Sequence, residues 1–318
     1  MYPFRNILFP TDFPSRAQAA LKHAAAFARE GSGEVVLFSV QSSKVPPNLL
    51  TLPDNAAAYE QNQWLIQLRY EVRQLLSDPL LAGVPTQVVI DDGDPVPKIT
   101  QAAIDHGSDL ITVVTQGRKG LSRALASSRA EEIIAEAPCP VLALRPSQRD
   151  FVQQHQHGAR IHLKRIILAT NFRPSSAAAT QVGMQLAKHQ SAELHIVYVI
   201  GDYFEQISSL FPEGGLAALT KLRSNVQERM SQIQASGHSR TITHIAEGRP
   251  YEEIVRRASE TEAQLIVIGT AVHNSLFGGW RVLGSEIERV IRNAPCPVLC
   301  VPAARVLTPL PSFVAQPA

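Results

Sequence analysis

Short apolar runs recur along the chain, separated by stretches whose apolar positions fall three and four residues apart. In the first half the runs are "NILFPT", "VVLFSV", "TQVVI", "LITVV" and "PVLAL". Each is apolar at consecutive positions, as expected for strands buried on both faces of a parallel sheet. Between the first two, Ala17, Ala20, Leu21, Ala24, Phe27 and Ala28 keep helical spacing. Five strands separated by helices predict a doubly wound α/β sheet with right-handed crossovers, ordered 3-2-1-4-5. The pattern is weakest over Gln41–Asp78 and Gly201–Ser236, each predicted to hold a loop and one long helix.

The chain then repeats itself. "RNILFPTDF" at Arg5–Phe13 returns as "KRIILATNF" at Lys164–Phe172, and "DDGDPVPKI" ending at Ile99 returns as "AEGRPYEEI" ending at Ile254. "DLITVV" at Asp109–Val114 matches "QLIVIG" at Gln264–Gly269, and "APCPVLAL" at Ala137–Leu144 matches "APCPVLCV" at Ala294–Val301. Four blocks in one order, offset by about 155 to 159 residues, indicate a duplicated domain rather than a solenoid. The expected division is a first domain over 1–146, a linker over 147–162, a second domain over 163–303 and a flexible tail over 304–318. The linker "SQRDFVQQHQHGARIH" reads as a solvated, patternless connector. Its His155, His157 and His162 lack a carboxylate or cysteine to complete a metal site.

Composition narrows the classes. At 318 residues the chain can form two domains with separate cores. With 30 Lys+Arg against 28 Asp+Glu, a net charge of +2 gives no general pull toward nucleic acid or anionic membrane. No apolar run approaches the roughly 18 residues of a membrane span, and the start lacks a signal-peptide layout. The three cysteines, Cys139, Cys296 and Cys300, cannot build a disulfide framework, so a reducing cytoplasm is the expected location. Cys139 and Cys296, flanked by prolines that set the start of strand five, read as small buried hydrophobes.

The densest candidate chemistry is "TQGRKGLSRALASS", Thr115–Ser128, directly after strand four. In a 3-2-1-4-5 sheet the winding reverses between strands one and four, so the loops after them flank the ligand crevice. Gly117 and Gly120 allow close approach to phosphate, and Ser128 is placed at the start of the next helix, whose free N–H groups favour an anion. A plain structural role competes. Ser128 with Glu131, and Ser285 with Glu288, both fit the S-x-x-E capping box. Asp12 serves equally as a turn residue, and Arg118, Lys119 and Arg123 as a solvated face.

"ILFPTDFPSRAQAALKHAAAFA" followed by "TQGRKGLSRALASS…APCPVLAL" resembles the universal stress protein family, present twice. The resemblance implies two tandem Rossmann-like domains, each with a five-stranded parallel sheet, which pair through strand five as an internal pseudo-dimer. It also implies ATP binding through a glycine signature, G-x-x-G, nine residues, then G-S or G-T. The strand-one aspartate would meet the adenosine, and a residue ending strand two would line the adenine. Carried over, the first copy has Pro10, Thr11 and Asp12 at strand one and Val40 at the adenine position. Its signature falls on Val114, Gly117, Ser127 and Ser128. The second copy has Asn171 in place of the aspartate and keeps Gly269, Gly284 and Ser285. Val272 replaces its middle glycine, and "HNSLFGGWRVL" makes the spacer two residues too long. A valine beside phosphate adds bulk and restricts φ, whereas Asn171 keeps hydrogen bonding without charge.

No G-x-x-x-x-G-K-[ST], G-x-S-x-G or H-E-x-x-H occurs, so no specific catalytic signature is present. The leading expectation is a cytoplasmic, non-enzymatic stress-response regulator that binds ATP weakly in at least one domain. Internal pairing of its domains, and homodimerisation of whole chains, are the expected associations. A degenerate scaffold acting through protein contacts, and a slow ATP hydrolase using Asp12, are the alternatives.

Overall fold

The computed structural model of the chain describes residues 2–11, 18–41, 63–115, 124–146, 148–155, 158–201, 212–235, 240–270, 272–274 and 281–303. The first half runs β1 (Asn6–Pro10), α1 (Gln18–Gly31), β2 (Glu34–Gln41), α2 (Gln63–Leu76), β3 (Thr86–Asp92), α3 (Pro95–Asp105), β4 (Leu110–Val114), α4 (Ala124–Glu136) and β5 (Val141–Leu144). A connecting hairpin follows, β6 (Val152–His155) and β7 (Gly158–Ile161). The second half runs β8 (Arg165–Ala169), α5 (Pro174–Gln190), β9 (Glu193–Ile200), α6 (Pro212–Ala235), β10 (Thr241–Glu247), α7 (Pro250–Glu260) and β11 (Leu265–Thr270). It ends with β12 (Val272–Asn274), β13 (Arg281–Leu283), α8 (Ser285–Asn293) and β14 (Val298–Pro302). The two weakly patterned stretches do each contain a long helix, α2 and α6.

The halves share one ten-stranded sheet, β10-β9-β8-β11-β14-β5-β4-β1-β2-β3. Within each half all pairings are parallel and the order is 3-2-1-4-5. The strand-five edges meet antiparallel, Val298 opposite Ala143, Leu299 opposite Leu142 and Cys300 opposite Val141. Strand side chains alternate between faces, and that alternation continues across the join. Leu142, Leu144, Leu299 and Val301 face the layer of α1, α5 and α6. Val141, Ala143, Val298 and Cys300 face the layer of α3, α4, α7 and α8. Separate cores were expected from length; instead each face carries one core shared by both halves. All three cysteines are buried, and desolvation pushes the thiols of Cys296 and Cys300 up to about 12. They act as small hydrophobes, as their proline frames implied.

Cations lock the join from outside the sheet. Arg145, just after β5, donates to the carbonyls of Arg292 and Ala294 at the C-terminal end of α8. Arg149 donates to the Ala258 and Ser259 carbonyls near the end of α7, at 3.0 and 3.4 Å. Both guanidinium groups sit where helix dipoles favour positive charge. Arg292 forms a bidentate pair with Glu131 of the other half, at 2.8 and 2.7 Å.

The connector departs from its sequence reading. It is not patternless: β6 and β7 pair antiparallel and bury Phe151, Val152, Ala159 and Ile161 in the core beside α1. The Phe151 ring meets His23 edge-on at 4.7 Å and Phe27 at 6.0 Å. Arg29 of α1 donates to Ala159 O at 2.9 Å and to Leu80 O and Ala82 O, tying the hairpin to the turn before β3. A few positions, not the composition average, carry the apolar signal. Among the described residues no three or more His, Cys, Asp or Glu side chains could hold a metal, and no helix is long and apolar enough to cross a membrane.

Phe151 is fully buried, so Phe151→Ala should cost about 3–5 kcal/mol. Thermal unfolding should show the loss in one transition for the whole chain. A variant as stable as the parent means the hairpin is not part of the core.

Candidate functional site

The expected crevice lies at the carboxyl ends of strands one and four. In each half strand one pairs with both strand two and strand four, and helices leave to opposite faces there. Four threonines ring this edge. Thr11, Thr115, Thr170 and Thr270 are each under 10% exposed. Thr11 N donates to Phe38 O at 2.8 Å, and Thr170 N to Val197 O at 3.0 Å, so these two are equivalent. Pro10 precedes Thr11 at the end of β1 and is half-buried. Val40, near the end of β2, packs against the α3/α4 face. Asp12, Gly117 and Gly120 lie outside the described residues, as do Arg118, Lys119 and Arg123.

The expected helix starts need correction. Ser128 does not open its helix, because α4 already begins at Ala124. Ser285 is the first residue of α8 but not its cap; Gly284 holds the cap position and no side-chain cap hydrogen bond forms. Gly284 has φ −62° and ψ 137°, which any residue adopts. Both capping-box glutamates are engaged elsewhere. Glu131 grips Arg292, and Glu288 lies 3.7 Å from the same guanidinium. Burial, and then the Glu131 charge, push the Glu288 carboxyl upward. Glu131 thus joins the two halves, while Glu288 meets Arg292 within its own helix.

Gly269 has a packing explanation. It lies within β11, not in a loop. A Cβ there would sit 2.3 Å from Ser175 O and 2.9 Å from Ser176 Cα, so α5 crosses the strand too closely for a side chain. Its counterpart Val114, also the partner of a strand-five residue, carries a half-buried side chain. Beyond Gly269 the lengthened spacer is closed by antiparallel pairing of β12 and β13, Val272 opposite Leu283 and Asn274 opposite Arg281. β13 packs on α4 of the first half. The first turn of α8 holds Glu286 and Glu288, which already occupy the positive end of that helix dipole. In the first half the position of Glu286 is Arg129.

Asn171 takes part in different geometry. Its Oδ1 accepts from Arg173 N at 3.0 Å, while Phe172 N donates to Thr170 Oγ1 at 3.1 Å. This turn holds Phe172 at φ 55° and stacks its ring on Tyr198 at 5.5 Å and 19°. Arg229 of α6 places its guanidinium 5.7 Å from the Phe172 centroid and donates to Phe172 O at 3.3 Å. Two clefts open here on either hand of Phe172, one between α6 and the ends of β8 and β9, the other between α5 and α6. One, of ≈ 520 Å³, includes Asn171, Tyr198, Leu222 and Asn225. The other, of ≈ 480 Å³, includes Thr170, Arg173, Thr180 and Gln181. Phe172, Arg229 and Gln232 line both. Gly269, Gly284 and Ser285 line neither. The cleft residues come from three distant segments and follow no motif. The one signal was the phenylalanine that closes both repeated blocks, Phe13 and Phe172.

A half-buried carboxyl and a buried histidine have structural partners. Burial raises the Asp109 carboxyl to about 6, against hydrogen bonds from Arg5 N and Asn6 N. Gln264 does the same work in the second half, accepting from Lys164 N at 2.6 Å. A carboxylate that an amide replaces in the other copy is a cap, not an acid catalyst. His195 is buried with Glu193 Oε1 2.6 Å from its Nε2 and His244 Nε2 2.9 Å from its Nδ1. His195 Nε2 faces the Glu193 carboxylate, and one hydrogen bond links His195 Nδ1 with His244 Nε2, either ring being able to donate it. Burial, Arg257 and His195 lower His244 to about 4, against Glu260.

The sequence model described as "Universal stress protein family" matches residues 3–145 and again 162–302. A universal stress protein of Methanocaldococcus jannaschii is 34% identical over 148 residues, covering 43% of this chain and 81% of that protein. Universal stress protein E of Escherichia coli is 21% identical over 322 residues, covering 98% of each. The crystal structure of a universal stress protein from Archaeoglobus fulgidus superposes with a TM-score of 0.62 at 20% identity, over 94% of this chain and 98% of that one.

Two outcomes are expected. Gly269→Ala should destabilise the ligand-free protein by about 1–3 kcal/mol through overpacking against α5; unchanged thermal stability would contradict the packing role. His244 protonates near 6.5 when unfolded and at about 4 when folded. The unfolded chain therefore takes up the proton first, and stability present above pH 6.5 is lost as pH falls toward 4. His244→Gln should flatten that part of the curve in denaturant titrations across this window.

Proposed function

The chain belongs to the universal stress protein family, twice over, and from that premise we propose a regulator whose first half binds an adenine nucleotide weakly. The observation that carries this reading is the switch point at β1, which pairs with β2 on one side and β4 on the other. In the sequence Asp12 follows β1 and Gly117 follows β4, and the carboxyl ends of two such strands are where open α/β sheets take ligands. Pro10, Thr11 and Val40 line the base end of this crevice. Gly117 and Gly120 with the start of α4 supply the phosphate end, and Ser127 and Ser128 follow as the fourth and fifth residues of that helix. The Arg129 side of the first half offers an anion better electrostatics than the Glu286 side of the second.

The second half supports a scaffold role. Its retained glycine is required by α5, its spacer is a hairpin resting on α4, and its signature helix begins with carboxylates. Asn171, Gly269, Gly284 and Ser285 then contribute to folding and to the join rather than to phosphate binding. The work is ligand-dependent regulation in the cytoplasm, without catalysis.

Calorimetric titration of the full chain with ATP tests the reading. Binding is expected no tighter than micromolar. Asp12→Ala should weaken it roughly tenfold, the worth of one hydrogen bond to a charged group. Ser127→Gly should tighten it, and Ser285→Ala should leave it unchanged. If neither the parent nor Ser127→Gly takes up ATP, both halves are scaffold.

A further inference from the structure

The geometry points to a second ligand site, in the two clefts that meet at Phe172 beside α6, for a small compound that joins an aromatic ring to an anionic group. This does not rest on nucleotide binding by the first half. The cleft lies on the α1/α5/α6 face of the sheet, whereas the family signature leads to α8 on the opposite face.

Two features set the chemistry. The first is an apolar floor made from Phe172, Tyr198, Leu222 and Val226. Val226 is buried, and the two rings are already stacked. A flat ring entering beside them gains aromatic contact without reordering the floor. The second is charge. Arg229 and Arg173 flank Phe172, and among the described residues neither forms an ion pair. Other arginines of this half do: Arg223, Arg256, Arg257, Arg289 and Arg292 all have carboxylate partners. Arg229 is also pre-positioned, held by the Phe172 ring and carbonyl, so less side-chain freedom is lost on meeting an anion. Glu228 lies in the ≈ 520 Å³ cleft and Arg173 in the other. This asymmetry places the ring over the floor and the anion at the Arg173 side of Phe172. Asn225 and Gln232 supply amide donors and acceptors to polar substituents.

Phenyl phosphate is the simplest probe of this chemistry. It should bind the full-length protein in calorimetric titration, with inorganic phosphate and phenol each at least tenfold weaker. Arg229→Gln should weaken phenyl phosphate roughly tenfold or more. Arg223→Gln, on the same helix but paired with Glu247, should not. Both residues are exposed, and matching thermal midpoints will show that both variants fold. Equal affinity in the parent and Arg229→Gln overturns the site, as does inorganic phosphate binding as tightly as the aryl ester, or no phenyl phosphate binding at millimolar concentration. ATP titrations on the same proteins separate the two claims. Unchanged ATP binding in Arg229→Gln with loss of phenyl phosphate establishes two sites. ATP binding without any phenyl phosphate binding sinks the cleft alone.

Discussion

Six residues decide how this chain is built. Val141, Leu142 and Ala143 meet Cys300, Leu299 and Val298 across an antiparallel join. Every other pairing in the main sheet is parallel and internal to one half. Each half alone would end in a fully apolar edge, a ready template for another strand. Pairing the two edges removes both at once. It also aligns the alternation of side chains, so that leucines meet on one face and smaller residues on the other. Each helical layer then packs over a core that does not stop at the domain boundary. Arg145, Arg149 and the Arg292–Glu131 pair can reach across only because this register brings the ends of α7, α8 and α4 to the same place.

Much of the architecture was legible because it is written in runs and repeats. The five apolar runs became the five strands of a half, in the anticipated order. Proline-flanked cysteines did mark strand five. What escaped was set by partners far away in sequence. The connector looked polar because only Val152 of its first strand is buried and two of the three buried residues of its second are the small Gly158 and Ala159, and Phe151 finds its contacts on α1. Ser128 and Ser285 sit in good capping-box sequences, yet their glutamates are drawn to Arg292. For Glu131 that partner lies in the other half, and for Glu288 it lies one turn along its own helix.

The candidate site was legible only in part, for a related reason. A signature glycine carries no label saying whether it makes room for a ligand or for a helix. At Gly269 the answer is the α5 backbone, 2.3 Å from where a Cβ would stand. Phe172, Tyr198 and Arg229 had no shared pattern to betray them, since they come together only after strand one, strand two and the following helix have packed. The repeated "TDF" and "TNF" marked the right corner without showing what it faced.

Duplication explains how the two halves came to differ in these ways. In a symmetric dimer the loop after strand four and the helix behind it appear twice, and any change that favours subunit contact is imposed on both ligand sites. Fused in one chain, each copy carries its own sequence. The second half has spent its loop on a hairpin against α4 and its helix start on Glu286 and Glu288. The first keeps Gly117, Gly120 and Arg129 at the corresponding positions. Arg292 meets Glu131, but the reciprocal position in the first half is Ala135, so the pair exists once and not twice. The join is therefore two-fold in its strands and one-sided in its charges.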